Sequence, residues 1–139
     1  KILQFDTPNN IYNKPNSAFV ARFFGETLSL RSKVNNRNAK TIFGPIKITD
    51  NKIKKTKEIE IIFRSEAFNV TKNNAKKNPR KIKSKIIAVK YISENSYLHL
   101  DILNNSVQKH LHIKVPGKFI PPKNKICYIN INKKNFFIF

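Results

Sequence analysis

The chain has 139 residues, enough for one compact domain or one with a short appendage and too few for a large multidomain machine. Lys and Arg number 28 against 8 Asp and Glu, a formal net charge of +20, while 40% hydrophobic residues leave material for a core beneath a strongly positive surface. The apolar runs, such as Ile59 to Phe63 interrupted by Glu60, fall far short of the roughly 20 residues a membrane helix needs, and no signal-peptide pattern opens the chain.

Lys1 to Phe5 is short and apolar and reads as the end of a strand. Asp6-Thr7-Pro8 then brings a capping side chain and a proline preorganised for a first helical turn, so a short helix is expected from Pro8 to Asn13, stopped by Pro15. A second helical pattern starts at Asn16, with Ala18, Phe19, Ala21, Arg22 and Phe23 leading to Gly25, which suits a left-handed C-terminal cap. Phe19 and Phe23 lie four apart on one face, and with Phe24 they form an apolar stripe that calls for burial, worth roughly 1.5–3 kcal/mol for each Phe. Beyond Gly25 the grammar changes to short apolar or alternating runs separated by Asn, Lys, Gly and Pro, the pattern of a small all-β unit. Strands are expected at 28–34, 40–42, 46–48, 58–64, 69–70, 81–92, 96–102, 107–115, 125–131 and 136–139. The basic polar segment 71–80 reads as a solvated loop between two β-rich halves. Tyr97, His99 and Asp101 alternate with Leu98, Leu100 and Ile102, and His110 and His112 with Leu111 and Ile113, as half-buried antiparallel strands require.

The chemistry available to this chain is narrow. Cys127 is the single cysteine, which rules out an intrachain disulfide and a cysteine metal cluster and fits a reducing cytosol. His99, His110 and His112 raise a metal question, since two share a strand face and the third sits on a neighbouring strand, but no carboxylate or cysteine repeats their spacing and the expectation is no metal. The eight carboxylates show no pair spaced for acid–base work, the serines and threonines form no nucleophile elbow, and Gly25, Gly44 and Gly117 make no phosphate loop. Catalysis, and a catalytic or cofactor-binding residue within this chain, are therefore not expected. Tyr91, Tyr97, Phe119 and Tyr128 among lysines offer an OB-type stacking groove, with core packing of strand aromatics as the plainer alternative.

The charge itself has a compositional explanation. Of the basic residues 23 are Lys and 5 are Arg, and Lys, Asn, Ile and Phe together supply 73 of 139 positions. All four have A/T-rich codons, so a genome drifting toward A and T yields this composition whatever the partner, whereas nucleic-acid readers lean on the planar guanidinium of Arg. Met is absent, including at position 1, and the chain is read as a fragment of a longer product.

Two ordered strings carry more information than the composition. Gln4-Phe5-Asp6-Thr7-Pro8-Asn9-Asn10-Ile11-Tyr12-Asn13-Lys14-Pro15 and Phe19-Val20-Ala21-Arg22-Phe23-Phe24-Gly25-Glu26 resemble the segment where the ATP-binding subunit of an ABC importer leaves its nucleotide-binding domain. That family reads close to Q-x-G-T-P-x-x-I-Y-x-x-P, then F-V-A-x-F-[LIF]-G; Asp6 stands where glycine is usual. Phe43-Gly44 resembles the family's leucine-glycine turn, and Ile61 to Glu66 its hydrophobic strand ending in R-P-E, with Ser65 in place of the proline. Val115-Pro116-Gly117 and 125–131 sit where its last strands would be. The matched positions are Gln4, Thr7, Pro8, Tyr12, Pro15, Phe19, Val20, Phe23, Gly25, Gly44, Arg64 and Glu66.

The resemblance implies a mainly β, OB-like barrel (a TOBE-type regulatory domain) at 26–139, preceded at 1–25 by the end of the nucleotide-binding domain and a helical linker. It further implies a non-catalytic regulatory and dimerisation role, in an importer of the ferric-iron type or its polyamine, sulfate or sugar relatives. ATP and Mg would bind the missing upstream domain, not this fragment. The partners implied are a second copy of the same subunit and membrane-spanning permease subunits, at the inner face of the plasma membrane, with no specific nucleic acid. A basic OB-type nucleic-acid-binding module, resting on Lys72, Lys76, Lys77, Arg80, Lys81, Lys83 and Lys85, is the alternative, and a free small-anion-binding barrel related to oxyanion-binding domains is a third reading.

Overall fold

The computed structural model describes residues 1–49, 53, 58–71, 81–103, 109–132 and 135–139, with the backbone alone at Lys109. The chain divides into two compact units, one of residues 1–64 with 135–139 and the other of residues 65–134. The divide therefore falls before Ser65 and not at the basic segment 71–80, and the last strand returns to the first unit. Residues 72–80, with Lys72, Lys76, Lys77 and Arg80, lie outside the described residues, as does Val107 of the expected eighth strand.

The first unit opens with two one-and-a-half-turn helices, α1 (Pro8–Asn13) and α2 (Ala18–Phe23). Each is started by a hydroxyl: Thr7 Oγ1 accepts from Asn10 N–H at 3.4 Å and Ser17 Oγ from Val20 N–H at 3.3 Å. Asp6 adds a second brace, its Oδ1 accepting from Thr7 N–H and Asn10 Nδ2, both at 2.7 Å. These bonds, that from Asn10 first, hold the Asp6 carboxyl below its ordinary pKa.

Lys1 to Phe5 is not a strand. It has no ladder partner among the described residues; Leu3 C=O instead accepts from Asn16 Nδ2 at 2.5 Å, and the Gln4 amide bridges Lys14 C=O and Asn16 N–H across the turn between the helices. Among the described residues five antiparallel strands follow: β1 (Thr27–Asn35), β2 (Asn38–Thr41), β3 (Gly44–Lys47), β4 (Glu58–Arg64) and β10 (Phe136–Ile138), in the order β10-β4-β1-β2-β3. Strand β4 reads as a near-continuous apolar run because both its faces are covered. Ile59, Ile61 and Phe63 enter the sheet's core, where Phe63 meets Phe43 at 5.4 Å and Phe136 at 5.6 Å, while Glu60 and Arg64, on the other face, reach the helices.

The second unit is one antiparallel sheet in the order β5-β9-β6-β7-β8, made of β5 (Phe68–Thr71), β6 (Ile82–Ile92), β7 (Asn95–Ile102), β8 (Lys109–Pro116) and β9 (Ile126–Ile131), after a 3-10 turn at Ser65–Ala67. Its inner face buries Ile86, Leu98, Leu100, Ile102, Leu111, Ile113, Cys127 and Ile129. Buried Ser96 ties the loop after β8 to the sheet, its Oγ accepting from Phe119 N–H at 2.7 Å and donating to Gly117 C=O at 2.8 Å. Val115-Pro116-Gly117 stands at the end of β8.

Candidate functional site

Two of the matched positions, Tyr12 and Gly25, meet at a third, Arg64. This last residue of β4 is 4% exposed, and its guanidinium donates to Tyr12 C=O at 2.6 Å, to Ala21 C=O at 3.3 Å and to Phe24 C=O, while lying 3.8 Å above the Tyr12 ring. Those carbonyls belong to the C-terminal ends of α1 and α2, where helical hydrogen bonding runs out and negative partial charge collects. One planar side chain thus caps two helices and fastens both to the sheet, which a lysine could not do with its single point charge. Gly25 is fitted to the same junction: at φ +122°, an added Cβ would stand 3.2 Å from Arg64 Nη1 and 3.5 Å from the Tyr12 ring. Beside it Arg22 pairs with Glu60 at 2.5 Å. Glu60 also accepts from Ser29 Oγ, which is the chief reason its carboxyl sits below the ordinary pKa.

The braced helices hold an apolar face outward. Phe19 and Phe23 stack with centroids 6.1 Å apart, Phe24 meets Phe23 edge-on at 5.1 Å, and the three are 57%, 71% and 43% exposed. With Ile2, Leu3 and Ile11 they border an open cleft of about 310 Å³. The stripe expected to be buried is thus not covered by the described residues of its own unit, because only Val20 and Ala21 of α2 turn inward.

The other matched positions serve locally. Thr7 and Pro8 start α1, Pro15 is buried between the helices, and Gln4 ties the leading segment to the turn. Gly44, at φ +94°, opens β3 in a tight hairpin with β2, and Glu66 is an exposed member of the 3-10 turn in the second unit.

On the second unit the outer sheet face is basic. By alternation and register it carries Lys83 and Tyr128, Lys85 and Asp101, Ala88, His99 and His112, then Lys90, Tyr97 and Lys114. Tyr97, Phe119 and Tyr128 are half-buried and Tyr91 is exposed, so these aromatics are not core. The three histidines meet here. His99 stands opposite His112 and stacks on it at 4.5 Å, its Nε2 lies 3.3 Å from His110 Nδ1, and His110 Nδ1 lies 2.5 Å from Asp101 Oδ1. The expectation of no metal rested on spacing along the chain, and spacing says nothing of the register that sets Asp101, two residues from His99, opposite His110.

No family model matches the chain. Among solved structures it is similar to the cytoplasmic molybdate-binding protein ModG, in a crystal form with molybdate bound, at a TM-score of 0.51 and 7% identity, over 80% of this chain and 94% of that one. The likeness is one of fold, and the chain is mainly β and OB-like.

Proposed function

We propose that this chain is the non-catalytic regulatory and dimerisation domain of the ATP-binding subunit of an ABC importer, of the ferric-iron type, with 1–25 the end of the nucleotide-binding domain and its linker and 26–139 the OB-like regulatory domain. The observation that carries this reading is the Arg64 junction. Residues singled out only by the order of motifs, Tyr12 and Gly25 in the two strings and Arg64 in the Ile61–Glu66 landmark, meet in one contact that holds the Phe19–Phe23–Phe24 face outward. An exposed apolar face on a braced helix pair suits a permanent neighbour, and in this reading the neighbour is the upstream ATPase domain, which holds ATP and Mg and does the chemistry. The regulatory unit would keep two such subunits paired while they open and close on the permease at the inner membrane surface.

The test is to read the coding sequence upstream of Lys1. An in-frame phosphate loop, signature motif and switch histidine are expected; a start codon immediately before Lys1 would overturn the importer reading. A second reading, the basic OB-type module, is favoured by one observation, the outer face with Lys83, Lys85, Lys90 and Lys114 around Tyr97 and Tyr128. For the third reading, a free small-anion-binding barrel, the neighbour's bound molybdate is the support.

A further inference from the structure

We propose that His99, Asp101 and His110 bind one divalent transition-metal ion of the zinc class on the outer face of the second unit. The proposal goes beyond the importer reading and does not depend on it. The three donor atoms, one from each side chain, lie within 4.8 Å of one another. A tetrahedral ion with bonds of about 2.0–2.1 Å needs donors about 3.3–3.4 Å apart. The His99–His110 separation of 3.3 Å already meets that, and the His110–Asp101 contact of 2.5 Å has to open by somewhat under 1 Å, a small turn of an exposed ring.

The hydrogen bonding points the same way. His110 Nδ1 faces both Asp101 Oδ1 and His99 Nε2, so a single nitrogen with at most one proton is shared by two partners. A cation at the centre of the three would take the place of that shared proton. The backbone is fixed where a site needs it to be, since Leu98, Leu100, Leu111 and Ile113 on the same two strands are buried at 3% exposure or less. His112, stacked on His99, is a positioning residue that holds that ring, and the exposed side of His110 leaves a coordination place to water.

Two imidazoles and one carboxylate select zinc, nickel or copper over magnesium and calcium, which require oxygen. The lysines of the same face, Lys85 opposite Asp101 foremost, raise the local potential and work against weakly bonded hard cations most of all. Cys127 does not compete as a ligand, being 1% exposed with its thiol pushed up to about 11 by burial.

The test is calorimetric titration of the 139-residue chain with Zn²⁺, and with Mg²⁺ as control, alongside nitrogen-15 spectra of the histidine rings. One Zn²⁺ per chain is expected, with shifts at His99 and His110, no Mg²⁺ response, and no change in C127S. H110A alters an exposed ring and leaves the fold intact; it is expected to weaken binding by more than about tenfold, since even an outer-shell partner is worth 10–100-fold. Absence of saturable Zn²⁺ binding, or equal affinity in H110A, would overturn the proposal.

Discussion

Arg64 holds a full charge almost out of water, and what offsets its desolvation is three backbone carbonyls and an aromatic face. Charged hydrogen bonds are worth about 1.5–3 kcal/mol each, so Arg64→Lys, which keeps the charge and loses the fork and the stacking, is expected to lower stability by about 2–3 kcal/mol. Urea unfolding with an unchanged slope is the measurement, and a midpoint equal to wild type would show that the junction holds nothing. Gly25→Ala is expected to act in the same direction, since its Cβ meets Arg64 at a backbone angle that L-residues rarely take. Cys127 gives the pH-dependent counterpart. Its thiol in the folded chain is raised from 9.0 to about 11 by burial, so between those values the unfolded chain releases a proton that the folded one retains. Its contribution to stability is full below about pH 9 and is lost as pH rises toward 11, and C127S is expected to remove that part of the pH profile. At neutral pH a thiol reagent should label Cys127 only at the rate of opening.

At the scale of elements, two hairpins turn on pairs of residues in the left-handed region without glycine: Asn36 and Arg37 between β1 and β2, and Ser93 and Glu94 between β6 and β7. Both positive angles fit the tight turn that matches strand twist, but a side chain there costs of order 1 kcal/mol. Glu94→Gly is therefore expected to stabilise the chain by about 0.5–1 kcal/mol, read as a higher melting temperature; destabilisation would mean that Glu94 makes a contact its backbone angle does not account for. The strands were legible because each either alternates or runs apolar between breakers, and Glu58–Arg64 falls at the expected bounds. Lys1 to Phe5 misled because apolar content marks burial or a partner surface as readily as a strand, and a strand exists only with a neighbour to bond to. The outward turn of Phe19 and Phe23 was illegible for a related reason: periodicity names a face without naming what covers it. Register was illegible too, and with it the meeting of Asp101 with His110, which the β7–β8 ladder sets and spacing does not.

At the scale of the whole molecule the question is what a charge of +20 is for. If A/T-rich codons supplied it, the lysines are distributed without regard to a ligand, and attraction to a polyanion is then only counterion release. Binding to single-stranded DNA would fall with salt at a log-log slope near −0.7 for each phosphate contacted, equally for every sequence. If the outer face of the second unit is a reading surface, Tyr97 and Tyr128 stack bases, and each stacked base adds about 1–3 kcal/mol that salt does not remove. The two cases separate at high ionic strength, where the Debye length shrinks toward about 3 Å and exposed charges are screened from one another. We expect DNA and a polyanion without bases, such as heparin, to bind alike at about 0.15 M salt and both to be lost by 1 M. Retention of DNA alone at 1 M salt, abolished by Tyr97→Ala, would make the face a nucleic-acid site and set the importer reading aside.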